Sequence, residues 1–243
     1  MPMKTPIYGE FARYYDQLGW NRFAKITAER LKAFVKFRGT GDETVLDLAC
    51  GTGELEYLLR KTKLKFTGVD ISWQMLTRAR QKNKDVEFFH GDITGVRLDR
   101  KFDIVVCYFD SVNHLSGITA MKKMFKTARM HLKPGGYFIF DMLTPEGLSH
   151  WESIDIRKDD DHYVVVNGHF DEEKIQAEVT IEGFVKSQGE EYVRFCQNVK
   201  ECTYPLDKVA EALTIAGFDD ITVTSFDLEE PVESTSRWYF VVS

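Results

Sequence analysis

The 243-residue chain has only four cysteines and no CxxC pair, so it offers neither a disulfide framework nor a zinc-finger spacing. Cys196 and Cys202 fall on one face of a single expected strand, but roughly 20 Å apart at about 3.3 Å per residue, beyond disulfide reach. No apolar run approaches the roughly 18 residues of a membrane span. The opening MPMKTPIYGEF carries no apolar h-region, so the expectation is a cytoplasmic chain with no membrane partner. A basic excess is missing as well: 32 Lys and Arg against 38 Asp and Glu leave a net charge of −6. That balance argues against a polyanionic partner such as nucleic acid, whose binding rests on released counterions. HExxH is absent, and DDDH at 159–162 reads as a charged hairpin turn, so no metal is expected.

What is present is a rhythm. From 44 to 141, short apolar runs (TVLDLA, KFTGVD, VEFFHGD, FDIVVCYF, GYFIFDM) alternate with helix-period segments. In those segments Leu55, Leu58 and Leu59 share one face, as do Met75, Leu76 and Ala79, and Met121, Met124, Phe125 and Ala128. Apolar strands separated by helices predict a parallel sheet covered on both faces, a doubly wound α/β domain. Upstream, Phe23, Ile26, Leu31 and Phe34 predict a helix over 20–37, stopping at Gly39 and packing on the sheet. After 150 the period becomes two: Ile175, Ala177, Val179 and Ile181 alternate with polar residues. HYVVVNGHF and EYVRFCQNVKECTY would flank them, turning at DEEK and KSQGEE, an antiparallel insertion over 150–203. A helix from Pro205 to Gly217 and two strands, DITVTSF and RWYFVVS, finish the chain.

The run VLDLACGTGELE places glycines between a strand and a helix, where backbone can approach a ligand closely. A dinucleotide fingerprint requires a third small residue where Glu56 stands, and a pyrophosphate would meet Glu54 and Glu56. Asp70 ends the second strand, about 20 residues on, where a carboxylate can accept ribose hydroxyls. Asp92 ends the third. Ligands of open α/β sheets bind beyond the carboxyl ends of the strands, so Asp47, Asp70 and Asp92 should line one crevice. The implied ligand is a nucleoside with a cationic group.

In this order and spacing, VLDLACGTG, GVDIS, GDIT, FDIVVCYFDSVNHL and LKPGGYFIFD resemble the class I S-adenosylmethionine-dependent methyltransferases. YGEFARYYDQL and the late insertion are similar to small bacterial methyltransferases of unassigned substrate and to amino-sugar and glycine N-methyltransferase-like enzymes. The resemblance implies a Rossmann-like, seven-stranded mixed sheet with S-adenosyl-L-methionine as cofactor. It divides the chain into a lid (1–40), a cofactor core (41–149), the insertion (150–203) and a closing helix and hairpin (204–243). It implies that Asp47, Ala49, Gly51 and Gly53 shape the pocket for the methionine part and that Asp70 holds the ribose. Ile71 and Met75 would pack on the adenine, and Asp92, with Ile93 beside it, would reach the adenine amino group. Tyr8 and Tyr15 would fold over as a lid, with Tyr108 and Phe109 near the sulfonium.

For catalysis the candidates are Asp110, Asn113 and His114, in YFDSVNHL. An imidazole with a reference pKa near 6.5 suits proton removal, and Asp110 would orient it or bind an amine. His131 and His169 read as structural, and Asp110 or Asn113 could instead cap the helix near Gly117. The [ND]PP[YF] tetrad, which resembles base N-methyltransferases, is replaced by DSVN, and no Pro-Cys pair offers a thiolate. The expected acceptor is the amine or hydroxyl of a small molecule, walled by Trp151 and Phe170, with the insertion covering it or forming a homodimer contact. The alternatives are an RNA or protein methyltransferase and a non-catalytic cofactor-binding module.

Overall fold

The computed structural model describes residues 8–187, 189–226 and 235–243. In chain order the strands are β1 (Thr44–Leu48), β2 (Lys65–Asp70), β3 (Glu87–His90), β4 (Phe102–Cys107), β5 (Leu132–Leu143), β6 (Ile154–Lys158), β7 (His162–Asp171), β8 (Gln176–Lys186), β9 (Tyr192–Cys202), β10 (Ile221–Ser225) and β11 (Arg237–Val242). The helices are α1 (Phe11–Tyr14), α2 (Phe23–Arg38), α3 (Glu54–Leu59), α4 (Trp73–Lys82), α5 (Ile118–His131), α6 (Pro145–Ser149) and α7 (Leu206–Ala216). Seven strands form one mixed sheet in the order β10-β11-β5-β4-β1-β2-β3, and β6 to β9 form a second, antiparallel sheet. The first five strands of the large sheet run parallel; β11 pairs antiparallel with β5, and β10, antiparallel to β11, returns to the common direction at the edge.

Alternate residues along each central strand face opposite layers. Leu46, Leu48 and Val105 pack under α5 and α7, against Met124, Phe125 and Leu213. Val45, Ile104 and Val106 pack under α2 and α3, against Leu31, Leu55 and Leu59. Burying each such side chain fully contributes about 1.5–3 kcal/mol. The layers also correct one detail of the expected N-terminal helix. Trp20–Arg22 form a 3₁₀ turn and α2 begins at Phe23, with Ala28, Leu31 and Val35 on its buried face. Ile26 lies off that stripe and is 49% exposed.

The second sheet keeps its period of two. Val164, Val166, Val179, Ile181 and Phe195 point inward and pack on Phe11, Tyr14 and Leu18, so the N-terminal segment belongs to the insertion's core. Ile175 departs from the pattern: it sits in the turn before β8 with φ 49 and ends no ladder. Among the described residues, no helix is long and apolar enough to cross a membrane.

Candidate active site

The loop after β1 is built on positive backbone angles. Ala49, Gly51 and Gly53 have φ of 68, 54 and 70. Ala49 and Cys50 donate their N–H groups to the Val69 carbonyl at 2.8 and 3.0 Å, which holds the loop against the end of β2. Asp70 then ties two elements together: Oδ2 accepts from Gly51 N at 2.9 Å and Oδ1 from Ser72 N at 2.8 Å. Ser72 caps α4 by accepting from Met75 N. A side chain on Gly51 would meet nothing within 4 Å, because that face opens on a cavity. Gly53 turns the other way. A Cβ there would lie 2.7 Å from Asn83 Nδ2, and the Gly53 carbonyl accepts from that amide, so this glycine lets α3 and α4 close together.

A cavity of about 830 Å³ lies between the carboxyl ends of the core strands and the inner face of the second sheet. That is near the top of the roughly 300–1,000 Å³ common for ligand pockets. Asp47, Ala49, Gly51 and Asp70 line one end, with Ile71, Met75, Asp92 and Ile93 beside them. Asp92 Oδ1 accepts from the N–H and hydroxyl of Thr94, so this acid also forms its own turn. Asp47 and Asp70 are buried, and behind Asp47 stands Glu56, 1% exposed, its carboxylate buried on α3. Burial raises all three from their ordinary values, and the Glu56 and Asp70 carboxylates raise Asp47 further. A base-poor, acid-lined end of this kind repels phosphate and favours a cationic group. The open face at Gly51, the buried acids and the apolar Met75 fit an adenosyl group carrying a sulfonium and an amino-acid tail.

At the other end the loop after β4 is strained. Phe109 and Asp110 have φ of 59 and 58, uncommon for any residue but glycine. The Asp141 carboxylate of β5 holds them, accepting from Phe109 N at 2.7 Å and Asp110 N at 3.3 Å. Arg237 bridges Asp110 and Asp141 and lies over the Phe23 ring. Asp110 therefore lines the cavity as half of an ion pair rather than as a free orienter of His114. Asn113, expected beside the acceptor, is fully buried and outside the cavity lining. Its amide donates to the Leu143 and Cys202 carbonyls and its Oδ1 accepts from Leu143 N, fastening β5 to β9. Neither it nor Asp110 caps α5, whose N-cap is Gly117.

His114 does face the cavity, with Nε2 3.2 Å from the Tyr8 hydroxyl and 3.8 Å from Glu201 Oε1. Burial holds its pKa below the ordinary value, with Asp110 opposing, so the ring is neutral near pH 7. Tyr8, Tyr15, Tyr108 and Phe109 line the cavity, and burial pushes all three phenols upward. Trp151 is in the wall, whereas Phe170 packs beside Leu143, Leu148 and Ala177, outside it. His131 Nε2 accepts from Leu98 N, and exposed His169 pairs with Glu152, both away from the cavity.

Three residues here escaped the sequence reading. Asp16 accepts from Thr52 of the glycine loop at 2.7 Å and pairs with Lys82 of α4 at 2.6 Å. Arg237 opens β11, a closing strand that reads only as core. Glu201 carried a signal: it occupies an inward register position of β9, the series of Val193, Phe195 and Val199, where an acid interrupts an apolar face.

Comparison with known proteins is consistent with this geometry. A family profile described as a methyltransferase domain matches residues 45–136. "Putative methyltransferase YqeM" of Bacillus subtilis (strain 168) is 30% identical over 243 residues, covering 96% of both chains. The dTDP-3-amino-3,4,6-trideoxy-alpha-D-glucopyranose N,N-dimethyltransferase of Streptomyces venezuelae is 31% identical over 165 residues, 66% of this chain and 69% of that one. The crystal structure of an S-adenosylmethionine-dependent methyltransferase from Clostridium acetobutylicum ATCC 824 superposes with a TM-score of 0.82 at 27% identity. It covers 97% of this chain and 98% of its own.

Proposed function

The chain belongs to the S-adenosylmethionine-dependent methyltransferases, and from that premise we propose that it methylates the nitrogen or oxygen of a small molecule. The observation that carries this reading is the partly roofed cavity. Its cofactor end is made by the core strands, and its far end is roofed by the second sheet and by Tyr8 and Tyr15 of the N-terminal segment. A long polymer has no need of such a roof, and the Streptomyces venezuelae relative is named for a small-molecule acceptor, a dTDP-linked amino sugar.

When bound, S-adenosylmethionine supplies an electrophilic methyl group on a sulfonium. The chain supplies position. Asp47, Ala49 and Gly51 would hold the methionine part, Asp70 the ribose and Met75 with Ile71 the adenine, while Tyr8 and Tyr15 exclude water. Alignment of bound reactants accounts for roughly 7–11 kcal/mol of barrier, against about 10²–10⁴-fold from a general base. His114, neutral and facing the cavity, is the residue suited to that lesser part.

Calorimetric titration with S-adenosylmethionine, S-adenosylhomocysteine and NAD in parallel tests the cofactor assignment. Binding of the first two without NAD is expected; silence from both in folded, ligand-free protein would sink it. The reading extends to a homodimer through the insertion, supported by Ile154, Ile156, Tyr163 and Phe184, exposed together on the outer face of the second sheet. Sedimentation velocity should then give a species of twice the chain mass.

A further inference from the structure

Glu201 ends the inward row of β9 in an environment that offers it little. Its side chain is 6% exposed, and Oε1 lies 3.8 Å from His114 Nε2. Oε2 is buried with no hydrogen-bond partner among the described residues, yet the residue lines the cavity. A buried carboxylate oxygen left without a donor is costly, and an orphan of this kind calls for a ligand that completes it.

The neighbouring charges do not complete it. Arg237 is the nearby guanidinium, and Asp110 and Asp141 already take it. His114 is neutral, and the Tyr8 hydroxyl shares a hydrogen bond with His114 Nε2. With two carboxylates against one guanidinium beside it, Glu201 leaves this end of the cavity with an excess of negative charge. Trp20, Trp151, Val166, Val179 and Ile181 give the walls apolar faces, and the Arg157 that also lines the cavity is paired with Asp155.

Resting on the methyltransferase reading above, we infer that Glu201 is the acceptor-binding residue, which selects a protonated primary or secondary amine on a compact body with apolar faces over the corresponding alcohol. The ammonium places an N–H on the Glu201 carboxylate and supplies the missing positive charge. It then gives one proton to the carboxylate, R–NH3⁺ becoming R–NH2. The nitrogen lone pair forms the new N–C bond as the methyl's bond to sulfur breaks, with that electron pair staying on sulfur. The product leaves as R–NH2⁺–CH3, and Glu201 returns its proton to water. A hydroxyl is too weak an acid to give its proton to a carboxylate, and it brings no charge. Burial and the carboxylates of Asp110 and Asp141 raise the Glu201 pKa while Arg237 opposes, so its carboxylate holds a proton more tightly than an exposed one would.

The test uses matched pairs of one shape, cyclohexylmethylamine with cyclohexylmethanol and benzylamine with benzyl alcohol, titrated into protein saturated with S-adenosylhomocysteine. Wild type should bind each amine about ten- to a hundredfold more tightly than its alcohol, the range of a charged hydrogen bond. Glu201→Gln, binding S-adenosylhomocysteine as wild type does, should lose the preference to within about twofold, and Glu201→Asp should keep part of it. The assignment is overturned if wild type shows no preference, including the case in which neither member binds, or if Glu201→Gln retains it. Should Glu201→Gln fail to fold, the wild-type ratio and Glu201→Asp still decide. Failure of wild type to bind S-adenosylhomocysteine defeats the methyltransferase reading first, and this inference with it.

Discussion

Asp141 does the structural work of a glycine. Phe109 and Asp110 adopt left-handed backbone that glycine would take without strain, and they hold it because one carboxylate receives both N–H groups. That carboxylate is fully buried, and its pKa is pushed up to about 6, chiefly by burial and against the pull of Arg237. Removing the guanidinium leaves two buried acids facing each other. Arg237→Met should cost about 3–5 kcal/mol of stability, as for any buried pair broken from one side. Urea unfolding measures it; a loss below about 1 kcal/mol would make the bridge equivalent to a surface pair.

At the level of elements, the N-terminal segment is a roof with a latch. α1 is a single turn, too short to stand alone, and it is held by packing on β9 and by Asp16. Asp16 joins Thr52 of the glycine loop and Lys82 of α4, while Lys82 also pairs with Glu54 at the start of α3. The residue that closes the roof thus touches the glycine loop, which shapes the proposed cofactor end. Asp16→Ala should weaken S-adenosylhomocysteine binding about tenfold, or about 1.5 kcal/mol, the low end for a charged hydrogen bond because the site is partly solvated. Calorimetry reads this directly, and unchanged affinity would uncouple the roof from the cofactor site.

Across the whole molecule, the price of a cation-ready cavity is a stability that depends on pH. The Glu56 pKa is pushed from 4.5 up to about 7, mainly by burial, beside Asp47, which is also raised. The folded chain therefore keeps a proton that the unfolded chain has lost, so this contribution is complete below about pH 4.5 and disappears as the pH rises toward 7. Wild type should be more stable to urea at pH 5 than at pH 8, and Glu56→Gln should flatten that slope; equal slopes would show that Glu56 titrates normally. Much of the fold was legible beforehand. The alternation of apolar runs with helical spacing set the parallel sheet, the period of two set the insertion, and the carboxylates at the strand ends marked the crevice. These are local patterns, repeated every two or 3.6 residues, and the chain carries them without knowing its partners. Asp110, Asn113, Glu201 and Arg237 are different. Their neighbours lie 30 to 127 positions away in sequence, so whether each is a fastener, an ion-pair partner or an orphaned acid was decided only when β5, β9 and β11 came together. Composition and spacing determined that this chain would build an acid-lined crevice at the carboxyl ends of its strands; tertiary packing alone decided which acid is left without a partner among the described residues, because burial and charge pairing are properties of the assembled site.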